Sequence, residues 1–266
     1  MKIFDLHNDL LTVNDDYLVE MNSYPEDTSV ALAIYKGKLT FTELQNLVEK
    51  YKNNPHKNGY LAYEDIGYEG ISLDYIINSN PLYVSLTHNP ENQFGYGVDN
   101  NMPLKKKGIE AVRELSKNGV VLDVAHLAKK GAIDLLNNAD RVICSHASFN
   151  GVHHHDRNLD DDIMAEIVRR NGIVALTFVG FFLTDENKEA TILDVIKHID
   201  YFANKFSINN LSVGTDFNGT DSLPINLKTY KEFENLKNEL IKRGYSENDV
   251  DKIFYQNAYN YFFKNC

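Results

Sequence analysis

His7 and Asp9 stand two residues apart just behind an apolar run at residues 2–6. In a β-strand, residues two apart face the same side, so this pair can present an imidazole and a carboxylate to one point in space. That is half of a metal site. Comparable donors recur along the chain at Glu64, His88, His126, His146 and Asp216, each at or just behind the end of an apolar stretch. Taken singly, each has an ordinary alternative. His126 and His146 could be strand-end rings bonded to loop carbonyls, Glu64 a surface helix cap, and Asp216, in Asp-Phe-Asn-Gly, an Asx turn. Independent accidents rarely choose the same edge of a sheet so often. Imidazole and carboxylate donors without thiolates suit zinc, with manganese, iron, cobalt or nickel as lesser options. Even three histidines and two carboxylates of this set exceed the three protein ligands usual for one catalytic zinc, so two ions sharing a carboxylate bridge are the economical reading. Metal binding lowers the pKa of water from about 15.7 to roughly 7, so the chemistry implied is hydrolysis by a metal-bridging hydroxide.

Positioning such donors needs a sheet whose strands all end at one face. Runs rich in β-branched and aromatic residues occur at 2–6, 29–35, 60–64, 82–86, 120–124, 142–145, 173–178 and 211–214. Helical patterns lie at 40–52, 72–77, 104–118, 129–137, 160–171, 191–203, 226–243 and 246–263. Alternating strands and helices predict a parallel α/β sheet, and eight such strands close a TIM-type (β/α)8 barrel. Barrels of this kind build their sites at the carboxyl ends of the strands, where all of the donors above fall. No composition shift marks a boundary, so the chain reads as one domain over residues 1–266. Segments 87–103 and 147–158, rich in Asn, Gly and His, read as loops over the barrel mouth.

Composition removes several classes of function. With 24% charged and 43% hydrophobic residues among 266, the chain has an ordinary globular composition. Its formal charge of -11 argues against nucleic acid, whose phosphates recruit Lys and Arg. No run approaches the roughly 18 apolar residues of a membrane span, and no leader-like apolar segment precedes His7, so no membrane partner is expected. Two cysteines, Cys144 and Cys266, make no disulfide framework, and a reducing, cytoplasmic location is the expectation.

The chain resembles the renal (membrane) dipeptidase family of zinc metallopeptidases, a branch of the amidohydrolase-like barrels. The matching stretches are DLHNDLL (5–11), LTHNPEN (86–92), VVLDVAH (120–126), VICSHAS (142–148), HDRNLDDD (155–162) and VGTDFNG (213–219), in family order, with YQNAYNYF (255–262) similar to the family's closing helix. The resemblance implies two zinc ions, one held by His7 and Asp9, the other by His126 and His146, with Glu64 bridging. It further implies that His88 polarises the substrate carbonyl, Arg157 grips a terminal carboxylate and Asp216 shuttles protons. The implied substrate is a dipeptide or short peptide, with a D-residue tolerated at its carboxyl end. The alternatives are a barrel acting on another amide, ester or lactam, and a catalytically silent binding barrel. A homodimer is left open.

The chain departs from the family pattern at three points. The bridging glutamate usually precedes a glycine, whereas Glu64 precedes Asp65 and Glu69-Gly70 is a rival; Glu64 is preferred because it ends an apolar strand. Asn218 stands where many relatives have a second Asp, and the connections near Pro81 and Asp185 are short. Of the triplet His153, His154 and His155, contiguous rings cannot easily meet one ion; His155, ahead of Asp156-Arg157, lines the pocket entrance. His56 and His198 read as surface residues, and Cys144 as a small buried strand residue.

Overall fold

Eight parallel strands pair in chain order and close on themselves. They are β1 (Ile3–Asn8), β2 (Thr28–Tyr35), β3 (Gly59–Glu64), β4 (Val84–Ser85), β5 (Leu122–Asp123), β6 (Val142–Ala147), β7 (Ile173–Leu176) and β8 (Leu211–Val213). The computed structural model describes residues 1–264, so Cys266 lies outside the described residues. The helices are α1 (Leu10–Val13), α2 (Tyr17–Ser23), α3 (Phe41–Asn53), α4 (Leu73–Asn78), α5 (Lys106–Lys117), α6 (Lys129–Asn138), α7 (Asp161–Arg169), α8 (Gly180–Leu183), α9 (Ile192–Lys205), α10 (Phe233–Lys242), α11 (Glu247–Asp251) and α12 (Asn257–Phe263). The TIM-type barrel expected from the alternating pattern is the fold observed. No helix among the described residues is long and apolar enough to cross a membrane.

Two apolar layers hold the barrel together. Phe4, Leu6, Ala31, Ala62, Tyr83, Val121, Ile143, Ile173 and Ala175 pack inside it, joined by Ala258, Tyr261 and Phe262 of α12. Alternate strand residues such as Val30, Leu32, Leu61, Tyr63, Cys144 and Val174 pack outward in the larger cluster under the helices. Strand alternation is what sorts the two sets. It also makes two irregularities matter. The β1–β2 register shifts between Asp5 and Asn8, and the β6–β7 register shifts between Cys144 and Ala147. An extra residue reverses the alternation beyond it. Without the shifts, His7 would follow Ile3, and His146 would follow Cys144, to the outer face; with them, both rings turn into the mouth.

Several helices differ from the sequence reading. The pattern at 226–243 becomes helical only at Phe233, because Asn226 adopts φ +61, a left-handed conformation no helix continues, and 230–232 form a single 3-10 turn. The closing helix is interrupted by a π turn at Lys252–Gln256, beyond which Asn257 donates to the carbonyls of Ile208 at 2.7 Å and Leu211 at 2.8 Å. The short α1, α2 and α8 escaped the periodicity, which needs longer windows than four to seven residues.

His198, expected at the surface, is fully buried in α9. Its Nδ1 accepts from the amide of Phe149 at 3.1 Å, so its Nε2–H donates to the carbonyl of Leu183 at 3.2 Å. Burial pushes its pKa down from 6.5 to about 4. Between those values the unfolded chain binds a proton that the fold excludes, so this ring's contribution is whole above pH 6.5 and is lost as pH falls toward 4, by about 3 kcal/mol in total. His198→Gln, which retains a donor and an acceptor, is expected to flatten the fall in urea midpoint between pH 7 and 4. An identical fall in both proteins would contradict this.

Candidate active site

The site is built from buried donors whose protons are already committed elsewhere. Tyr83 donates its hydroxyl proton to the carbonyl of Leu6 at 2.8 Å, so the same oxygen can only accept from His7 Nδ1, also at 2.8 Å. His7 Nε2 is therefore bare, and it has no hydrogen-bond partner although fully buried. Asp9 Oδ1, 3.7 Å away, is likewise buried and unpartnered. On β6 the same device recurs. Ser145 donates to Asp123 Oδ2 at 2.5 Å and so accepts from His146 Nδ1 at 2.7 Å, which leaves His146 Nε2 without a proton, an acceptor 2.9 Å from His126 Nε2.

These atoms converge on Glu64 at the end of β3. Its Oε1 lies 2.8 Å from His126 Nε2, 3.4 Å from His146 Nε2 and 3.7 Å from His7 Nε2. The rings of His7 and His146 have centroids 3.7 Å apart, and those of His126 and His146 4.9 Å apart. Asp216 Oδ1 completes the other side, 4.0 Å from His7 Nε2. Three overlapping groups have ligand atoms close enough to hold an ion: His7, Glu64 and His146; Glu64, His88 and His126; and His7, Asp9 and Asp216.

The electrostatics agree with a cation at this point. Burial, then the charge of Asp216, pushes the Asp9 carboxyl well above the usual carboxylate range, and burial, then the charges of Asp9 and Asp216, does the same to Glu64. Burial, then the Arg157 guanidinium, pushes His7 down to about 3 and His88 to about 4. Crowded carboxylates held neutral beside bare imidazoles are the state that a bound cation reverses, because it favours ionised carboxylates and neutral rings together. Orphaned Nε2 and Oδ1 atoms in an imidazole and carboxylate cluster fit zinc chemistry.

Backbone geometry at the mouth explains one departure from the family pattern. Asp65 has φ +64, where glycine is cheap; here its Oδ1 instead accepts from the Gly67 amide at 2.7 Å, an Asx turn that tolerates this conformation. The rival Glu69 is exposed and lies outside the cluster. His126, Asp216 and Asn218 are also left-handed, at φ +65, +64 and +66. Gly219 is constrained differently. A Cβ there would lie 2.2 Å from Asp9 Oδ2 and 2.3 Å from Asp216 Oδ1. Gly219→Ala is expected to displace both carboxylates and cut kcat/KM by up to about 10²-fold, with Tm little changed because the residue is exposed. Wild-type kinetics in this variant would show that the carboxylates need no such clearance.

Above the cluster opens a cavity of about 410 Å³, lined by His88, Asn89, Arg157, Asp216 and Phe182, among others. His88 stacks near His126, with centroids 4.0 Å apart, and is half-buried. Arg157 is buried; its Nη2 donates to the carbonyl of His146 at 2.9 Å, and its Nε lies 3.0 Å from His126 Nδ1. That nitrogen also lies 2.7 Å from Asn89 Oδ1, and one atom cannot donate to Asn89 and accept from Arg157 at once. His155 reaches the cavity and, with His153 and His154, also lines a surface cleft beside Asp185. The sequence reading missed Asp5, which accepts from the amide of Thr215 at 2.7 Å, its hydroxyl at 2.6 Å and Tyr230 at 2.5 Å, locking β1 to the segment carrying Asp216. It also missed Asp123, Tyr83 and Phe181.

A (β/α)8 barrel with imidazoles and carboxylates gathered at its carboxyl-terminal rim is the architecture of metal-dependent hydrolases. Within that class, the chain belongs to the membrane dipeptidase family, peptidase family M19, matched over residues 71–262. It is 28% identical over 241 residues to an uncharacterized dipeptidase of Schizosaccharomyces pombe, covering 88% of this chain and 57% of that protein. Dipeptidase tcpJ of Claviceps purpurea is 27% identical over 181 residues, 66% of this chain and 43% of the relative. The chain thus spans about half the length of the curated relatives it matches. A metallo peptidase from Rhodobacter sphaeroides, solved with a phosphinate mimic of L-Ala-D-Ala, superposes with a TM-score of 0.83 at 18% identity, covering 98% of both chains.

Proposed function

We propose that the chain is a zinc-dependent dipeptidase that binds two metal ions. His7 and Asp9 would hold one ion, His126 and His146 the other, and Glu64 would lie between them. The observation that carries this reading is the bare, buried pair His7 Nε2 and Asp9 Oδ1 facing Glu64. The chemistry supplied by zinc held there is an acidified water, with a pKa lowered to roughly 7, and Lewis acidity toward the scissile carbonyl. Were His126 to hold an ion through Nε2, its Nδ1 proton would go to Asn89, and the Nε–H of Arg157 would be released from that ring. The guanidinium then offers paired donors to a substrate's terminal carboxylate. The neutral ring of His88 donates to the carbonyl oxygen. Asp216, pushed up to about 7 chiefly by burial, takes a proton and returns it to the leaving amine. The mimic in the Rhodobacter sphaeroides protein makes dipeptides, L–D pairs included, the first substrates to try.

The test is hydrolysis of a dipeptide panel by zinc-loaded protein, with carboxyl-amidated counterparts. Free dipeptides should turn over, chelator should abolish the activity, and amidation should lower kcat/KM by about tenfold or more, the worth of a charge-assisted contact. No turnover of any dipeptide with zinc, manganese or cobalt would remove this reading.

A further inference from the structure

The wall of the cavity beside Arg157 is aromatic and is fixed in place. Phe181 and Phe182 meet edge to face, with centroids 4.6 Å apart, and His155 packs on Phe182 at 4.6 Å. The helix that carries them, α8, is pinned at three points. Gly180 donates its amide to the carbonyl of Ser222 at 2.7 Å, Asn158 Nδ2 donates to the carbonyl of Phe182 at 2.8 Å, and His198 donates to that of Leu183 at 3.2 Å. Asn158 directly follows Arg157, so the guanidinium and the aromatic pair are parts of one assembly. The Phe182 ring centroid lies 5.9 Å from Arg157 Cζ. Val179, almost fully buried, extends the apolar surface. Phe181 and Phe182 are only part-buried although held this firmly, and an apolar ligand group docking on them would cover the ring surface left exposed.

We propose that Phe181 and Phe182, with Val179 and His155, form the pocket for the side chain on the carboxyl side of the scissile bond, and that this pocket selects apolar residues there. The proposal rests on the dipeptidase reading. In an amino acid the Cβ lies only about 2.5 Å from the carboxylate carbon, two bonds away. A carboxylate held by Arg157 therefore places its own side chain within reach of the Phe182 ring. The four wall residues are uncharged and the exposed Asp156 lines the same cavity, so with Arg157 paired to the terminal carboxylate a Glu side chain would lose water and gain repulsion. Because α8 is pinned, little ordering is needed when a side chain docks.

The experiment is kcat/KM of the zinc-loaded enzyme for Ala-Gly, Ala-Leu, Ala-Phe, Ala-Glu and Ala-Lys, in the wild type, Phe181→Ala, Phe182→Ala and Phe181→Asp. The wild type is expected to favour Ala-Leu over Ala-Gly by about tenfold or more, the usual discrimination of an apolar pocket. Either alanine variant should bring that ratio below about threefold. A ratio is read because a general loss of activity cancels from it. Phe181→Asp should raise Ala-Lys relative to Ala-Leu by about tenfold, a gain that a damaged fold cannot give. Dipeptide turnover with no apolar preference, or a preference unmoved by the variants, overturns the pocket and leaves the dipeptidase standing. No dipeptide turnover at all overturns the activity itself.

Discussion

Glu64→Gln is expected to leave zinc-loaded protein with one ion or fewer per chain and to lower turnover by at least about 10³-fold. The substitution changes one atom and keeps the shape, so packing is not its cause. Glu64 Oε1 is the carboxylate oxygen that meets the Nε2 atoms of His126, His146 and His7 together, at 2.8, 3.4 and 3.7 Å. An amide oxygen there keeps a dipole and loses the charge that a divalent ion requires of its bridge. Loss of a mere outer-shell partner costs roughly 10–100-fold in affinity, and a bridging ligand should cost more. Without metal the sign reverses. Burial and the charges of Asp9 and Asp216 push the Glu64 carboxyl up, so the metal-free fold already favours its neutral form, which Gln imitates. The metal-free variant should melt at or above the wild-type temperature, while the zinc-induced rise in Tm disappears. Metal analysis and paired melting curves check both halves. Full loading with wild-type turnover would remove Glu64 from the bridge.

The barrel was legible because periodicity alone places strands, and eight of them behind helix-length segments leave few architectures. The residues gathered at the rim were legible because side chains that end strands share an edge. What stayed hidden depends on details that composition does not carry. The shifts in β1 and β6 that turn His7 and His146 inward follow from pairing with neighbours distant in sequence. The hydroxyls that commit the ring protons, Tyr83 and Ser145, look like ordinary strand residues. A signal did exist for Asp5 and Asp123. Each is a charge inside an apolar strand, two or three residues ahead of a site histidine, and a carboxylate buried there must find donors. Phe181 and Phe182 were missed because α8 has only four residues, although two adjacent aromatics just past a strand's carboxyl end are conspicuous where a substrate should lie. His198 was misplaced because its ring packs against the loop after β6, a contact between residues 49 apart in sequence that a local pattern does not carry.

Asp216→Asn should separate proton transfer from metal binding, lowering turnover by about 10²–10⁴-fold, the usual worth of a positioned acid or base. The carboxyl is pushed up to about 7 by burial, against the opposing pull of Arg157 and with a further push from Asp5. A group that changes protonation near neutrality can take a proton and return it within one turnover; an amide can do neither. The backbone should not object, because φ at this position is +64 and Asn adopts that region readily. The amide of residue 216 would still donate to the carbonyl of His7 at 3.1 Å, so the strand end keeps its place. Metal content should stay near that of the wild type, since His7 Nε2 and Asp9 Oδ1 remain bare and only 3.7 Å apart. Two measurements therefore decide the role. Unchanged kcat would take Asp216 out of proton transfer, whereas loss of an ion in parallel with activity would make it a ligand, as its grouping with His7 and Asp9 allows.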